Sequence, residues 1–318
     1  VLKMNRRLFP YSFIVIGLIM VLPLYFIYTD PSFFSCRKFG VTYMTMNNPF
    51  YEVINNELRK EIELRGDQLI VRDPLLDLEK QTEQIEQFIS MDVDGIFINP
   101  VDSEAIEPVL RKAELAGIPV IAIDVPLSNS ASVVSTIVSD NYDAGVQCAE
   151  HIMTHFEGGS IALLKHSAVQ SASDRIQGFL DTINADERFA IVNEKECLGQ
   201  LEIAMPQTEQ MIQETPNISI IMALNDPSAM GAKAALKQLK REDVHIYGVD
   251  GTPEMKSLIG NDPSIEATVA QSPYTIGRTA VNSMYAFLDG KLVEKDVVIG
   301  VELVDEESIS RYTKGGWQ

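Results

Sequence analysis

DGIFINPVDSEAIEPVLRKAELAGIPVIAIDVP, residues 94–126, holds one complete unit of the architecture. Residues 95–99 are a short apolar run that stops at Pro100, where the ladder donor is missing. Ser103 stands where a helix over 104–116 needs an N-cap, and Gly117 ends that helix. Residues 119–124 then return as a second apolar strand. Two sequential strands joined through a helix run parallel when they share a sheet. Strands this short and β-branched are the kind that helices cover on both faces.

The alternation continues in both directions. Upstream, 39–45 reads as a strand. The helix over 50–65 places Val53, Ile54, Leu58 and Ile62 on one face and closes at Gly66. A strand at 68–72 follows, then a helix over 78–91 that buries Ile85, Phe88 and Ile89. Downstream, strands are expected at 134–138, 160–165, 189–193, 218–224, 244–249 and 265–270. Helices are expected near 142–156, 172–184, 201–214, 227–239, 253–260 and 274–288, and 297–304 is extended. Repeated βαβ units predict an α/β fold with mostly parallel sheets. One sheet of ten or more strands is longer than usual, which favours two domains. Ser139-Asp140-Asn141 and Ala270-Gln271-Ser272-Pro273 are the candidate crossings. The cleft between the domains, where strand ends gather loops, is then the expected site.

Bulk properties narrow the partners. The 318 residues include 26 basic and 45 acidic side chains, a formal net charge of −19. Such a surface repels polyanions, so no nucleic-acid partner is expected. Residues 11–28 carry no charge and follow Arg6-Arg7, which reads as a membrane-spanning signal-anchor behind a cytoplasmic stretch 1–10. A cleaved secretory signal and a lipoprotein leader ending at Cys36 are the alternatives. Each puts the bulk of the chain outside the cytoplasm, at the cell envelope, behind a linker at 29–38. Cys36, Cys148 and Cys197 have no metal-ligand spacing, and the histidines do not join them. Cys148 and Cys197 either pair as a disulfide or act as small buried apolar residues.

The strand ends repeat one chemical theme: Asn47-Asn48, Asn99, Asp124, Asp140-Asn141, Asn225-Asp226, Asp250 and Gln271. An amide both donates and accepts, and a carboxylate accepts from two hydroxyls, so together they suit a polyhydroxylated neutral ligand. Phe50 and Tyr51, with Tyr142 or Tyr274, offer flat surfaces for the C–H face of a sugar ring. Asn and Asp also form turns and caps, and the two aromatic rings also serve to pack the first helix. No dinucleotide fingerprint follows a strand, and Walker, G-x-S-x-G and H-E-x-x-H motifs are missing from the sequence. Neither enzymatic activity nor a cofactor is expected.

Eight stretches in order carry a family resemblance: MNNPFY (46–51), IFINPVDSEAI (96–106), VIAIDVP (120–126), SDNYDAG (139–145), SDRIQGF (173–179), LNDPSAMGA (224–232), GVDGTPE (248–254) and ATVAQSP (267–273). The chain resembles the type I periplasmic sugar-binding proteins, ribose binders in particular, which are related to the sensor domain of lactose-repressor-class regulators. The resemblance implies a periplasmic binding protein-like I fold: two Rossmann-like lobes, each a mostly parallel sheet flanked by helices, joined by a three-strand hinge. Its limits here are 39–139 with 272–300 for the N-terminal lobe, 140–271 with 301–306 for the C-terminal lobe, and 307–318 for a tail. The lobes close over a sugar. Position by position, Asn48, Phe50, Tyr51, Asn99 and Asp124 fall on ligand-binding positions of the first lobe. Asn225, Asp250 and Gln271 do so in the second, and Asp140 and Asn141 fall at a crossover as hinge residues. The partner implied is an ABC permease; the alternative is a membrane histidine kinase or chemoreceptor that reads the closed form.

This chain departs from ribose binders in three places. Val125 and Ser173 stand where they carry arginine, and no second-lobe aromatic matches near Cys197-Leu198-Gly199. Arg175 is expected to face away from the cleft, so two guanidinium groups are lost from it. Hydroxyls left without partners cost about 1–3 kcal/mol each, which disfavours ribose.

Overall fold

The computed structural model describes residues 36–312, 316 and 317. The expected span 11–28 lies outside the described residues, among which no helix is long and apolar enough to cross a membrane.

The chain from Lys38 onward forms two six-stranded sheets. The first contains β1 (Lys38–Thr42), β2 (Gln68–Arg72), β3 (Gly95–Ile98), β4 (Val120–Ile123), β5 (Ser135–Ser139) and β11 (Asp296–Ile299) in the order β11-β5-β4-β3-β1-β2. The second contains β6 (Gly159–Lys165), β7 (Phe189–Glu196), β8 (Ile220–Ala223), β9 (His245–Asp250), β10 (Ile265–Ala270) and β12 (Glu302–Val304) in the order β12-β10-β9-β8-β6-β7. The two orders correspond strand for strand. All pairings are parallel except β10 with β12. The extended stretch expected at 297–304 is therefore two strands, one completing each sheet.

The helices are α1 (Pro49–Glu63), α2 (Leu78–Ser90), α3 (Glu107–Leu115), α4 (Asn141–His155), α5 (Gln170–Ile183), α6 (Leu201–Glu214), α7 (Asp226–Leu239), α8 (Pro253–Leu258) and α9 (Pro273–Leu288). Helix α1 follows the expected periodicity, with Ile54, Leu58 and Ile62 having no exposed surface. Its N-cap is Asn48, whose Oδ1 accepts from the Phe50 amide at 2.9 Å. Asp140 caps α4, Asn225 caps α7 and Thr252 caps α8 in the same way. Each cap sits where a strand hands over to a helix, so one side chain both ends a loop and faces the end of the sheet.

Helices α4 and α5 approach closely because each presents a glycine. A Cβ at Gly145 would lie 1.9 Å from the Arg175 carbonyl oxygen, and one at Gly178 would lie 2.1 Å from that of Tyr142. This contact sets where α5, and hence Arg175, stands.

One local expectation is corrected, and one open alternative is decided. Ser103 does not cap a helix: α3 begins only at Glu107, after Ile106, and Asp102 Oδ1 instead takes the amides of Glu104 and Ala105. Ser103 Oγ accepts from the amide of Gln170, at the start of α5 beside the other sheet, at 3.2 Å. Cys148 and Cys197 are not paired; both are free and buried, with the Cys148 thiol directed at the Gly248 carbonyl and the Cys197 thiol 3.2 Å from Ser228 Oγ.

Candidate functional site

The carboxyl ends of both sheets face one cavity. Asn48, Phe50, Tyr51 and Asp124 line it from the first sheet's side, and Asn225, Asp250 and Gln271 from the second's. Asp124 follows β4 and Asp250 ends β9, which are equivalent strands of the two sheets. Both aspartates hold positive φ, 65° and 140°. Such backbone is costly for a residue with a Cβ and tends to mark sites where it serves a purpose. Here the sharp turn at each strand end brings the carboxylate to the cavity wall.

Asn99 is the nominated residue that the structure keeps out of the lining. It is fully buried, with Oδ1 accepting from the Met44 amide at 3.1 Å and Nδ2 donating to the Ile123 carbonyl and to Asp124 Oδ2, each at 3.3 Å. It braces Asp124 and the 43–48 loop from behind. Asn225 works similarly on the second sheet, donating to the Gly199 carbonyl at 3.1 Å and capping α7, but it also reaches the cavity. Tyr142 and Tyr274 are exposed, at 46% and 40%, and stand away from the lining. The rings that face it, Phe50 and Tyr51, meet edge to face at 5.9 Å, and Tyr51 stacks on Tyr43.

Arg175 is corrected most sharply: it lines the cavity rather than facing away. Its guanidinium is a buried crosspiece between crossover segments. Nε donates to Asn141 Oδ1 at 2.8 Å, Nη1 to the Leu224 carbonyl at 2.9 Å and Nη2 to Gln271 Oε1 at 3.2 Å. Gln271 Nε2 in turn donates to Asp250 Oδ1 at 2.8 Å. Asp140 stays with the α4 cap and with Ile299, to whose carbonyl its amide donates at 2.9 Å. Asn141, expected only as a hinge residue, also anchors the arginine.

The electrostatics centre on the two carboxylates. Burial pushes the Asp124 carboxyl up to about 6, opposed by the Arg175 charge and by the hydrogen bond from Asn99. Burial also raises Asp250 well above the usual carboxylate range; the Asp226 charge adds to this, while Arg175, 3.9 Å away, opposes it. Asp124 Oδ1 and Asp250 Oδ2 are buried and make no hydrogen bond to any of the described residues. Two carboxylate oxygens lacking donors at facing strand ends accept hydroxyl hydrogens well, and buried acceptors of this kind call for such donors. Among the described residues no group of His, Cys, Asp and Glu is placed to hold a metal ion.

Two bonds link loops of the two sheets across this cleft: Asn47 Nδ2 to Gln200 Oε1 at 2.8 Å, and the Gln170 amide to Ser103 Oγ. Sequence comparison agrees with the architecture, since residues 39–292 match the family described as periplasmic binding protein domain. The chain belongs to that family. It is 31% identical over 266 residues to the ribose import binding protein of Bacillus subtilis (strain 168), spanning 83% of this chain and 86% of that one. Among solved structures, an ABC transporter solute binding protein from Mycobacterium smegmatis with bound glycerol superposes with a TM-score of 0.84 at 27% identity, covering 89% of this chain and 100% of the other. Another from Agrobacterium vitis with bound D-fucose gives 0.81 at 26% identity, covering 86% and 97%.

In this periplasmic binding protein several lining residues escaped the sequence reading. His166 follows β6 directly, so the strand-end rule that found Asn99 and Asp124 also names it; burial lowers its pKa, which favours the neutral ring. Gln200 and Met44 also line the cavity, as do Val169, Ala172 and Leu198, which form an apolar stretch of wall. Apolar lining residues look like core residues in a sequence, and nothing local separates the two roles. Ser173 is absent from the lining, its hydroxyl donating to the Ser167 carbonyl at 3.2 Å, and Val125 has no exposed surface.

Proposed function

We propose that this protein captures a sugar or cyclic polyol in the cleft between its two sheets, outside the cytoplasm, and hands it to an ABC importer. The observation that carries the reading is the pair of buried carboxylate oxygens, Asp124 Oδ1 and Asp250 Oδ2, that find no donor among the described residues and lie on opposite sides of one cavity. Ligand hydroxyls supply those donors, and the Phe50 and Tyr51 rings lie against the ring's C–H surface. Asn48, Asn225 and Gln271 add amide groups to the buried wall, and Asn99 acts through Asp124. The relatives' descriptions as import and ABC transporter binding proteins, and the glycerol and D-fucose bound in two of them, support a hydroxylated neutral ligand. In this reading the lobes are 39–139 with 272–300 and 140–271 with 301–306, a division supported by which strands share each sheet, and residues 11–28 serve as the membrane tether.

Val125 and Ser173 bring no guanidinium to the cavity, and Leu198 offers an aliphatic surface where ribose binders have a ring. Arg175 does line the cavity, but its guanidinium is bonded to Asn141, Leu224 and Gln271, so the preferred ligand has fewer hydroxyls than ribose on that side. Thermal unfolding of the protein against glycerol, D-fucose, D-ribose, other pentoses and hexoses, and cyclic polyols tests this. A ligand at a hundred times its Kd adds about 2.7 kcal/mol. Stabilisation by one compound, confirmed by titration calorimetry, is expected, with D-ribose weaker. No stabilisation across the panel rejects the reading.

A further inference from the structure

Gly316 and Trp317 lie against both sides of the cleft. Trp317, the sole tryptophan of the sequence, meets Phe50 edge to face, with ring centroids 5.6 Å apart and planes at 61°. Phe50 belongs to α1, beside the first sheet, and is 1% exposed. The carbonyl of Gly316 accepts from Lys256 Nζ at 2.6 Å. Lys256 belongs to α8, beside the second sheet, and has no exposed surface. A covered ammonium needs acceptors, and this one finds a backbone carbonyl there, with the Asp226 charge nearby. One ring of the cavity wall and one buried cation of the opposite side thus depend on two adjacent residues.

We propose that Gly316-Trp317 is a clasp: Trp317 is a positioning residue that holds the Phe50 ring, and its tie to Lys256 keeps the two sides of the cleft together. For its effect on affinity this rests on the reading of the cavity as the ligand site; the clasp itself does not. Separating the sheets requires the segment to leave either Phe50 or Lys256, so it opposes opening. Without the Trp317 edge, Phe50 keeps only Tyr51 as an aromatic neighbour among the described residues and gains freedom to turn.

The test uses the full chain without ligand and then with one. Hydrogen exchange is followed at residues 47–51 and 198–202, which flank the Asn47–Gln200 bond. Trp317→Ala and Lys256→Met are expected to speed exchange in both segments several-fold, and Trp317→Phe, which keeps an aromatic edge, to return it close to wild type. Trp317 emission in the wild type is expected to resist acrylamide and to become accessible in Lys256→Met. For whichever of D-fucose, glycerol or the other panel compounds binds, Trp317→Ala is expected to weaken affinity about tenfold, mainly through faster dissociation. Exchange unchanged in Trp317→Ala, or emission as quenchable as in the unfolded chain, overturns the proposal. Faster exchange with no panel compound bound upholds the clasp and rejects the ligand reading.

Discussion

Asp124→Asn separates binding from stability because the two effects have opposite signs. The asparagine keeps the volume and suits the left-handed backbone at φ 65°. Its carbonyl oxygen can still accept from Asn99. What changes is the charge. Burial raises the Asp124 carboxyl to about 6 from an ordinary value near 4. The folded protein therefore holds this proton more tightly than the unfolded chain does. The stability contribution is intact below pH about 4, is lost as pH rises towards 6, and the whole loss is in force at pH 7.5. About two units correspond to roughly 3 kcal/mol, which the substitution removes. An amide hydrogen now facing the cavity takes back about 1–2 kcal/mol. The net gain is about 1–2 kcal/mol, a rise in Tm of a few degrees. Binding moves the other way, since a hydrogen bond to a charged group contributes about 1.5–3 kcal/mol, or roughly 10- to 100-fold in Kd. Thermal unfolding without ligand and calorimetry with it read the two effects separately. A lower Tm with wild-type affinity would refute the reasoning.

Four further outcomes follow from the same geometry. Ligand hydroxyls favour the ionised carboxylate, so Kd should rise as pH falls below about 6, by up to tenfold per unit from Asp124, with Asp250 adding in the same direction; a flat profile from pH 7 to 4.5 contradicts this. Arg175→Ala should destabilise by about 3–5 kcal/mol in denaturant unfolding and abolish binding, and Arg175→Lys should not restore binding because an ammonium cannot reproduce the three directed bonds. Gly145→Ala should cost about 1–3 kcal/mol and weaken binding, because α5 must move away and carries Arg175 with it; wild-type stability would show that the helix contact is looser. A thiol reagent should modify Cys148 and Cys197 only on unfolding, and modification of the native protein at the rate of an exposed thiol would argue against their burial.

The sequence by itself determined the order of strands and helices, the parallel sheets and most of the cavity residues. Those features are local: hydrophobic period, capping side chains, and polar residues at strand ends, each readable within a short window. Ser103 shows where a local rule stops, since a serine suited to a cap was taken up by a donor from the other half of the molecule. Arg175 shows it more clearly. Its orientation depends on Gly145, on Asn141 at one crossover and on Gln271 at another, and none of these is a neighbour in sequence. Asn99 was legible as a strand-end polar residue but not as a brace, because its partners are backbone groups and a carboxylate from other segments. Only the tertiary structure decided which polar atoms go without partners, how far burial lifts the two carboxyl groups, and that Trp317 reaches Phe50. Each of these depends on what surrounds a side chain in space, and that environment is assembled from segments far apart in the chain.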